Sequence, residues 1–397
     1  MSFYLLCKVL FSRKVVTSLL LLQLAMTLAL LLNSVLLAQQ TRQQLNQPTG
    51  LDLQNILLVQ LKPTTATLRV YPALEELLNR QLSAVQAIPG VIAAAYSNQS
   101  AILQGGNNGN VYVVEQQERT NVSTVPMYFV STDFFNVLDS QVLQGELPQY
   151  SVSLDAPGAP DVVITQSLAE KLFADVLAAG KHLNRGRVAA VISDFYGQRS
   201  GDHVMYNSVQ IAPPYSVDWG YSILLRTTPA QTNAVRQQLA TVLQNVESNI
   251  EIFHIRSLAE QHQRLYRNEY GLAMLLTILS ALMLLVTMVS SYSSSHFHAI
   301  KRQQEIGIKR ALGASKGLIL LELLSENWLC TALGAMLGVV LALWLNQALA
   351  QVISIPALNW YLPMVTTAVL LLCVTVATWY PAAIATRVSP ATATKAL

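Results

Sequence analysis

The densest collection of residues able to do chemistry is the run Lys301-Arg-Gln-Gln-Glu-Ile-Gly-Ile-Lys-Arg-Ala-Leu-Gly-Ala-Ser-Lys316. Five cations and one carboxylate at this spacing suit recognition of an anionic surface or a partner, not bond cleavage. Just beyond it, Glu322 and Glu326 stand i, i+4, so they share one face of any helix that holds them. They are the only carboxylates in the long apolar stretches of the chain. Carboxylates in such stretches can relay protons or mark an ion path; pairing with Lys309, Arg310 or Lys316 competes with that role. The histidines give no metal constellation, since His182, His203, His254 and His262 are scattered without a second ligand at zinc spacing. His296 and His298 stand i, i+2 in a polar loop, where a metal-binding pair and a headgroup-level polar pair both fit. Neither a Walker A sequence nor H-E-x-x-H occurs.

The elements that must position these residues are apolar. The 397 residues are 52% hydrophobic and 12% charged, against about 25% charged in soluble domains. Four runs, Val15–Leu37, Gly271–Tyr292, Leu318–Leu345 and Leu362–Pro381, reach the roughly 20 residues a spanning helix needs. Lys8, Arg13 and Lys14 before the first run also suit a cleaved signal peptide. However, the run exceeds an h-region, and Leu36 breaks the small-residue cleavage pattern; a retained helix is expected. Lys and Arg cluster before the first run, between the second and third (Lys301 to Lys316) and after the fourth (Arg387, Lys395), and are absent from 346–361. By the positive-inside rule both termini and the middle loop are cytoplasmic.

The expected division is a cytoplasmic leader (1–14), a first span (15–37), a large extracytoplasmic domain (38–270), a second span (271–292), a cytoplasmic loop (293–317), a third span (318–345), a short outer loop (346–361), a fourth span (362–381) and a cytoplasmic tail (382–397). The net charge of +3 hides an asymmetry, because 38–270 carries 15 basic and 19 acidic residues. Orientation and contact with anionic lipid account for the basic loops without nucleic acid. Cys7, Cys330 and Cys373 all lie outside the large domain, which is therefore not a disulfide scaffold.

That domain reads as α+β. Strand Ile56–Leu61, helix Tyr71–Ala87 stopped by Pro89-Gly90, and strand Val91–Tyr96 form one β-α-β piece. Strand Ser222–Arg226, helix Pro229–Val246 and strand Ile250–Ile255 form another. Two such pieces at opposite ends of one domain predict a ferredoxin-like sheet. Between them, about 111–214, short strands (Tyr128–Val130, Val162–Thr165, Val188–Ile192) and a helix (Ser167–Val176) predict an inserted mixed subdomain. Gly105-Gly106-Asn107-Asn108-Gly109 is a turn-rich loop without the strand–helix context of a phosphate cradle. Leu258, Leu265, Tyr266 and Leu272 share a helical face, which fits either a stalk continuous with the second span or an ordinary amphipathic helix. In the third span, Gly334-x-x-x-Gly338 permits close helix approach, within the bundle or between copies.

The basic run itself predicts a short helix. Glu305 four residues before Lys309 adds about 0.3 kcal/mol, Gly313 stops the helix, and Ser315 caps the next one. The loop could lie on the inner membrane surface or dock a cytoplasmic partner.

At these residues the chain resembles the MacB/FtsX family of ABC transporter permeases, whose loop reads R-x-x-E-I-G-I-x-R-A-L-G-A-S/R. Arg302, Glu305, Ile306, Gly307, Ile308, Arg310, Ala311, Leu312, Gly313, Ala314 and Ser315 match it, Glu326 stands where the family has a later Glu, and Pro381, Ala385, Pro390 and Lys395 fit its tail. Val130-Ser-Thr-Asp-Phe-Phe-Asn-Val-Leu138, Leu143-Gln-Gly-Glu146, Ser167-Leu-Ala-Glu-Lys-Leu-Phe173 and Val191-Ile-Ser-Asp-Phe195 resemble the family's periplasmic core.

The resemblance implies a non-catalytic permease of the inner membrane, working by mechanotransmission. Lys301 through Ser315, with Lys309 and Arg310, would be the coupling site for a separate cytoplasmic ABC ATPase. ATP and Mg would be bound by that ATPase and no cofactor by this chain. It further implies a second permease copy or paralogue, and use of a periplasmic adaptor and an outer-membrane channel in efflux of peptides or small toxic compounds. Lipoprotein release of the LolC/LolE kind, FtsX-like control of a cell-wall hydrolase, and a ligand-sensing receptor without an ATPase remain alternatives.

Overall fold

The computed structural model describes residues 14–114, 117–149, 160–174, 177–199, 203–214, 216–350 and 359–387. Cys7, Lys8, Arg13, Val176, Pro390 and Lys395 lie outside the described residues. The chain forms two compact units, 47–265 and the two flanking segments 1–46 and 266–397 together. Helix α1 (Lys14–Leu45) opens the chain and belongs to the helical unit.

In the α/β unit, β1 (Ile56–Pro63), α2 (Ala73–Gln86) and β2 (Val91–Ser97) form the first β-α-β piece. The middle follows as β3 (Asn108–Val111), α3 (Gln117–Thr120), β4 (Val122–Val130), α4 (Phe134–Leu138), β5 (Val142–Gly145), β6 (Asp161–Thr165), α5 (Gln166–Phe173), β7 (His182–Leu183), β8 (Gly186–Ile192) and β9 (Ser208–Ile211). The second piece is β10 (Tyr221–Thr227), α6 (Thr232–Val246) and β11 (Ile250–Ser257), and α7 (Leu258–Leu265) ends the unit. Strands β11-β1-β10-β2 run antiparallel in that order, the arrangement of a split β-α-β, ferredoxin-like sheet. Helix α6 starts at Thr232 and not at Pro229, because Thr228 to Gln231 make a turn closed by the Gln231 N–H on the Thr228 carbonyl at 3.0 Å.

The middle subdomain does not build a sheet of its own. It continues the same sheet through β4-β9-β6-β8-β5, and the join between β2 and β4 is one residue pair, Ser97 with Val130. Side chains lengthen that join. The Asn98 amide donates to the Met127 carbonyl at 3.0 Å and accepts the Phe129 N–H at 2.9 Å, and Ser131 Oγ accepts the Tyr96 N–H at 3.2 Å.

Burial on both faces explains why β1 reads Ile-Leu-Leu-Val without alternation. Leu57, Val59 and Leu61 pack under α2 and α6 with Leu74, Leu78, Val235, Leu239 and Leu243. Ile56 and Leu58 pack on the other face with Phe134, Phe135, Phe195, Tyr196 and Leu258. Three motifs singled out in the sequence meet there. Phe134 stacks edge-on to Phe135 and Phe195 with centroids 5.9 and 6.2 Å apart, and Asp194 accepts the Ser167 N–H at 2.9 Å and bonds its hydroxyl, capping α5.

The helical unit adds α8 (Arg267–Lys301), α9 (Gln303–Ala311), α10 (Lys316–Ala350) and α11 (Tyr361–Ala385). Among the described residues four helices, α1, α8, α10 and α11, are long and apolar enough to cross a membrane. All overrun the expected spans. Helix α8 continues through the Ser-rich segment after Tyr292 because neither Gly nor Pro interrupts it, so the loop expected from 293 begins only at Arg302. His296 and His298 therefore lie on a helix, where i, i+2 side chains do not face each other. Among the described residues no group of three or more His, Cys, Asp or Glu gathers as a metal site. Tyr266, at φ −105° and ψ 10°, separates α7 from α8, which excludes one uninterrupted stalk helix.

Helix α1 is the most buried of the four. Its Thr27 Oγ1 lies 2.9 Å from Thr287 Oγ1, and Asn33 Nδ2 donates to the Ala342 carbonyl at 3.2 Å. Such interhelical bonds are worth about 0.6–2 kcal/mol in a bilayer. Gly334 and Gly338 seat α1: a Cβ on Gly334 would stand 2.7 Å from Leu24 Cβ, and one on Gly338 2.9 Å from both Leu28 Cβ and the Ala25 carbonyl. Of the two alternatives for the glycine pair, within the bundle or between copies, the contacts with α1 match the first.

Two outcomes follow. Gly334→Leu and Gly338→Leu should each lower the SDS-unfolding midpoint of the reconstituted chain, by the about 1–3 kcal/mol that overpacking costs; an unchanged midpoint would remove α1 from that seat. In the α/β unit, burial foremost, with Arg256 and Arg264 adding, lowers the His254 pKa to about 4, and burial lowers that of His262. A histidine depressed on folding stabilises above its unfolded pKa, and that contribution is lost as pH falls through the folded value. The unit's melting temperature should therefore fall from about pH 6.5 toward about pH 4, with a shallower slope in His254→Gln. An equal slope in both would overturn the assignment.

Candidate functional site

The loop between α8 and α10 is built from elementary helix-end chemistry. Helix α9 stops at Gly313, whose φ of +94° admits the left-handed turn. The Gly313 and Ala314 N–H groups return to the Arg310 and Lys309 carbonyls at 3.1 and 3.0 Å, which satisfies the last turn. Ser315 Oγ then accepts the Leu318 N–H at 3.3 Å and caps α10. The run Gly313-Ala-Ser-Lys-Gly317 spells the G-x-S-x-G of hydrolase nucleophile elbows, but it joins helix to helix where such an elbow joins strand to helix. Its serine caps a helix.

Between these ends, charge alternates along a zigzag that ties α9 to α10. Arg302 Nη1 meets Glu326 Oε1 at 2.5 Å and its Nε meets Glu305 Oε2 at 3.5 Å. Lys309 Nζ meets Glu305 Oε1 at 3.0 Å and Glu322 Oε1 at 2.8 Å. Glu305 is thus the brace between two interhelical rungs. The Glu326, Glu322 and Arg302 side chains are 12%, 15% and 20% exposed, so these pairs are largely shielded from solvent. Burial works against the Arg302 charge, but the bond to Glu326 and the fields of Glu305 and Glu322 outweigh it and hold its pKa above the ordinary arginine value. Lys309 behaves alike: burial opposes its charge, and its bonds to Glu322 and Glu305 raise it. Beneath the zigzag, Ile306 packs with Ala299, Ile319, Leu323, Ala382 and Ala385, and Gly307 is buried beside it.

The predicted site residues therefore divide. Arg302, Glu305, Lys309, Glu322 and Glu326 form the zigzag, and Ile306, Gly307 and Ala314 turn toward the core. Ile308 and Leu312 are 58% and 84% exposed. The Lys301 ammonium sits 4.5 Å above the Phe297 ring, and Arg310 Nε is buried without a hydrogen-bond partner among the described residues. Lys309, placed with Arg310 in the coupling site that the resemblance implies, is paired internally with Glu305 and Glu322. The zigzag had a readable signal, since Arg302, Glu305 and Lys309 stand i, i+3, i+7 and so share one helix face, opposite Glu322 and Glu326.

Residues 17–242 match the family model of the MacB-like periplasmic core domain, and residues 277–390 that of the FtsX-like permease C-terminal region. The chain belongs to the MacB/FtsX permeases. Among relatives, it is 26% identical to the macrolide export ATP-binding/permease protein MacB of Marinobacter nauticus over 49% of this chain and 32% of that one. It is 23% identical to the uncharacterized ABC transporter permease YvrN of Bacillus subtilis over 60% and 61%, and 24% identical to MacB of Wolinella succinogenes over 78% and 47%. The aligned parts thus span from about a third to under two thirds of these relatives. The periplasmic region of MacB from Actinobacillus actinomycetemcomitans superposes with a TM-score of 0.35 at 15% identity, covering 56% of this chain and 97% of that one. As a MacB/FtsX permease, the chain is a membrane protein whose α/β unit lies largely within the match to the MacB-like periplasmic core domain.

Glu326→Gln should destabilise the helical unit by less than the about 3–5 kcal/mol that follows breaking a fully buried pair, because Arg302 keeps Glu305. The double change Arg302→Met with Glu326→Leu should regain most of the loss. A single substitution without effect on SDS unfolding would show that the rung carries no load.

Proposed function

We propose that this permease converts nucleotide turnover by a cytoplasmic ABC ATPase into movement of its periplasmic domain, which drives efflux without a solute path through its own bundle. The observation that carries the proposal is the zigzag together with what it leaves outside. Helix α9 is fixed to α10 on one face by two ion pairs, Arg302 with Glu326 and Lys309 with Glu322, both braced by Glu305, while Ile308 and Leu312 stay exposed beside Arg310 and Lys316. A helix fixed on one face and apolar on the other suits a docked partner that pushes it. Displacement of α9 then passes through Arg302 and Lys309 to α10, whose Gly334 and Gly338 seat α1. Helices α1 and α8 are the two chain connections to the α/β unit.

On this reading ATP and Mg are held by the ATPase, and the role of this chain is non-catalytic. Both termini and α9 face the cytosol at the inner membrane, following the basic-residue asymmetry. A second permease copy or a paralogue completes the transporter. A periplasmic adaptor and an outer-membrane channel extend the route for peptides or small toxic compounds. The names of relatives, macrolide export and pyoverdine export among them, support export over regulation.

Docking and transmission can be separated. Ile308→Asp with Leu312→Asp, or Arg310→Glu alone, should reduce co-purification of the ATPase and permease-stimulated ATP turnover about tenfold or more, as for loss of an apolar anchor, while membrane insertion is retained. Lys309→Glu, which breaks the zigzag, should keep the ATPase bound but uncouple its turnover from substrate efflux. Full association and activity in the Ile308 and Leu312 variant would overturn docking at α9.

A further inference from the structure

The α/β unit contains a cavity of about 590 Å³, within the about 300–1,000 Å³ that small-molecule sites usually occupy. Its floor follows from strand register. Alternation sends Ile56, Leu58 and Gln60 to one face of the sheet, β10 pairs Leu224 with Leu58 and Ser222 with Gln60, and β2 pairs Ser97 with Ser222. That face is apolar where α4 and α7 cover it. At its end it becomes polar, and there the cavity opens over Gln60 and Ser222.

The polar side chains of the lining are of two kinds. Some are committed to the fold. Gln99 Nε2 donates to the Asn107 and Met127 carbonyls at 3.0 and 3.1 Å while its Oε1 accepts the Asn107 N–H at 2.7 Å, and Gln261 bridges Arg256 and the Ile102 carbonyl. The Gly105-Gly106 turn closes against this amide, since a Cβ on Gly106 would stand 2.3 Å from Gln99 Oε1. Gln60, Asn107 and Ser222, by contrast, make no side-chain hydrogen bond with the described residues. Among the described residues, no charged side chain lines the cavity.

At the rim stands Trp219, 92% exposed and the most exposed large hydrophobic among the described residues. Its backbone is fixed in the Val217–Gly220 turn, closed by the Gly220 N–H on the Val217 carbonyl at 2.9 Å. Gly220 has φ +88°, and a Cβ there would lie 2.7 Å from the Leu61 carbonyl. An aromatic ring carried on a fixed turn, beside unpaired amides and a hydroxyl, fits a ligand with an apolar face and a hydroxylated edge. A charged ligand would find no counter-charge. A peptide would find no free strand edge to extend, because β1 and β10 are interior strands of the sheet.

We propose that this cavity binds a neutral saccharide, with Trp219 stacked on a sugar face and Gln60, Asn107 and Ser222 hydrogen-bonding its hydroxyls. The site lies within one unit, and its occupancy does not depend on ATPase coupling. The test uses the full chain in lipid nanodiscs, because alkyl glycoside detergents carry the ligand chemistry themselves. Cellotriose and chitotriose are titrated by calorimetry and saturation-transfer NMR, against oligoglucuronate and trialanine. We expect saturable binding of a neutral trisaccharide, weakened about tenfold or more by Trp219→Ala and several-fold by Gln60→Ala or Asn107→Ala, with unchanged melting since Trp219 is exposed. Absence of saturable binding, binding that survives Trp219→Ala, or preference for the acidic sugar or the peptide would each overturn the proposal.

Discussion

Two carboxylates placed early in an apolar helix impose the constraint from which the rest of the helical unit follows. Glu322 and Glu326 sit in the first turns of α10, where an unpaired charge has neither bulk water nor a counter-ion. The structure answers by bringing Arg302 and Lys309 to them and bracing both with Glu305. Once those contacts are made, the face of α9 that looks at the bundle is decided, and with it the face that looks away. Burial of Ile306 and Gly307 and exposure of Ile308 and Leu312 are consequences of the same rotation. Charge neutralisation, which elsewhere contributes little at a surface, here sets the orientation of a whole element.

The same economy of means governs the bundle. Many of its hydroxyls bond carbonyls of their own helix, as Thr277, Ser280, Thr331 and Thr378 do, and a few polar groups tie helix to helix: Thr27 to Thr287, Asn33 to a carbonyl of α10, Trp328 to Thr375 at 2.9 Å. Without a hydrophobic drive between helices in lipid, close approach at small residues and such bonds supply the cohesion. Gly334 and Gly338 receive α1, and α1 in turn is the element through which the chain enters the α/β unit.

Much of this was legible in the sequence. Apolar run length gave the four spanning helices, and the two β-α-β pieces gave a ferredoxin-like sheet, whose strand order β11-β1-β10-β2 the structure supplies. The loop motif gave the family. What was not legible has physical reasons. Helix ends were short because Ser and His after Tyr292 neither stop nor continue a helix on their own; absence of Gly and Pro decided it. The role of Gly334 and Gly338 was ambiguous because a small-residue stripe does not say which helix it meets. The pairing of Lys309 with Glu305 was legible from their i, i+4 spacing, whereas which of Lys309, Arg310 and Lys316 would meet Glu322 was not, because that choice depends on how α9 packs on α10. The continuity of the sheet was hidden, since a single pair between β2 and β4 leaves no periodic signature.

That single pair has a further consequence. The β2–β4 seam is held by Ser97 with Val130 and then by the Asn98 amide and the Ser131 hydroxyl, which stand in for the next main-chain rungs. A rung made from a side chain hangs on rotatable χ bonds, whereas a main-chain rung is stiff. The apolar contacts that span the seam, among them Ala95 with Tyr128 and Leu224 in one cluster, resist separation but have little directional preference against sliding. Load applied to the sheet would therefore be absorbed at this line as a shear of one half past the other, and the long ladders on either side would keep their registers intact.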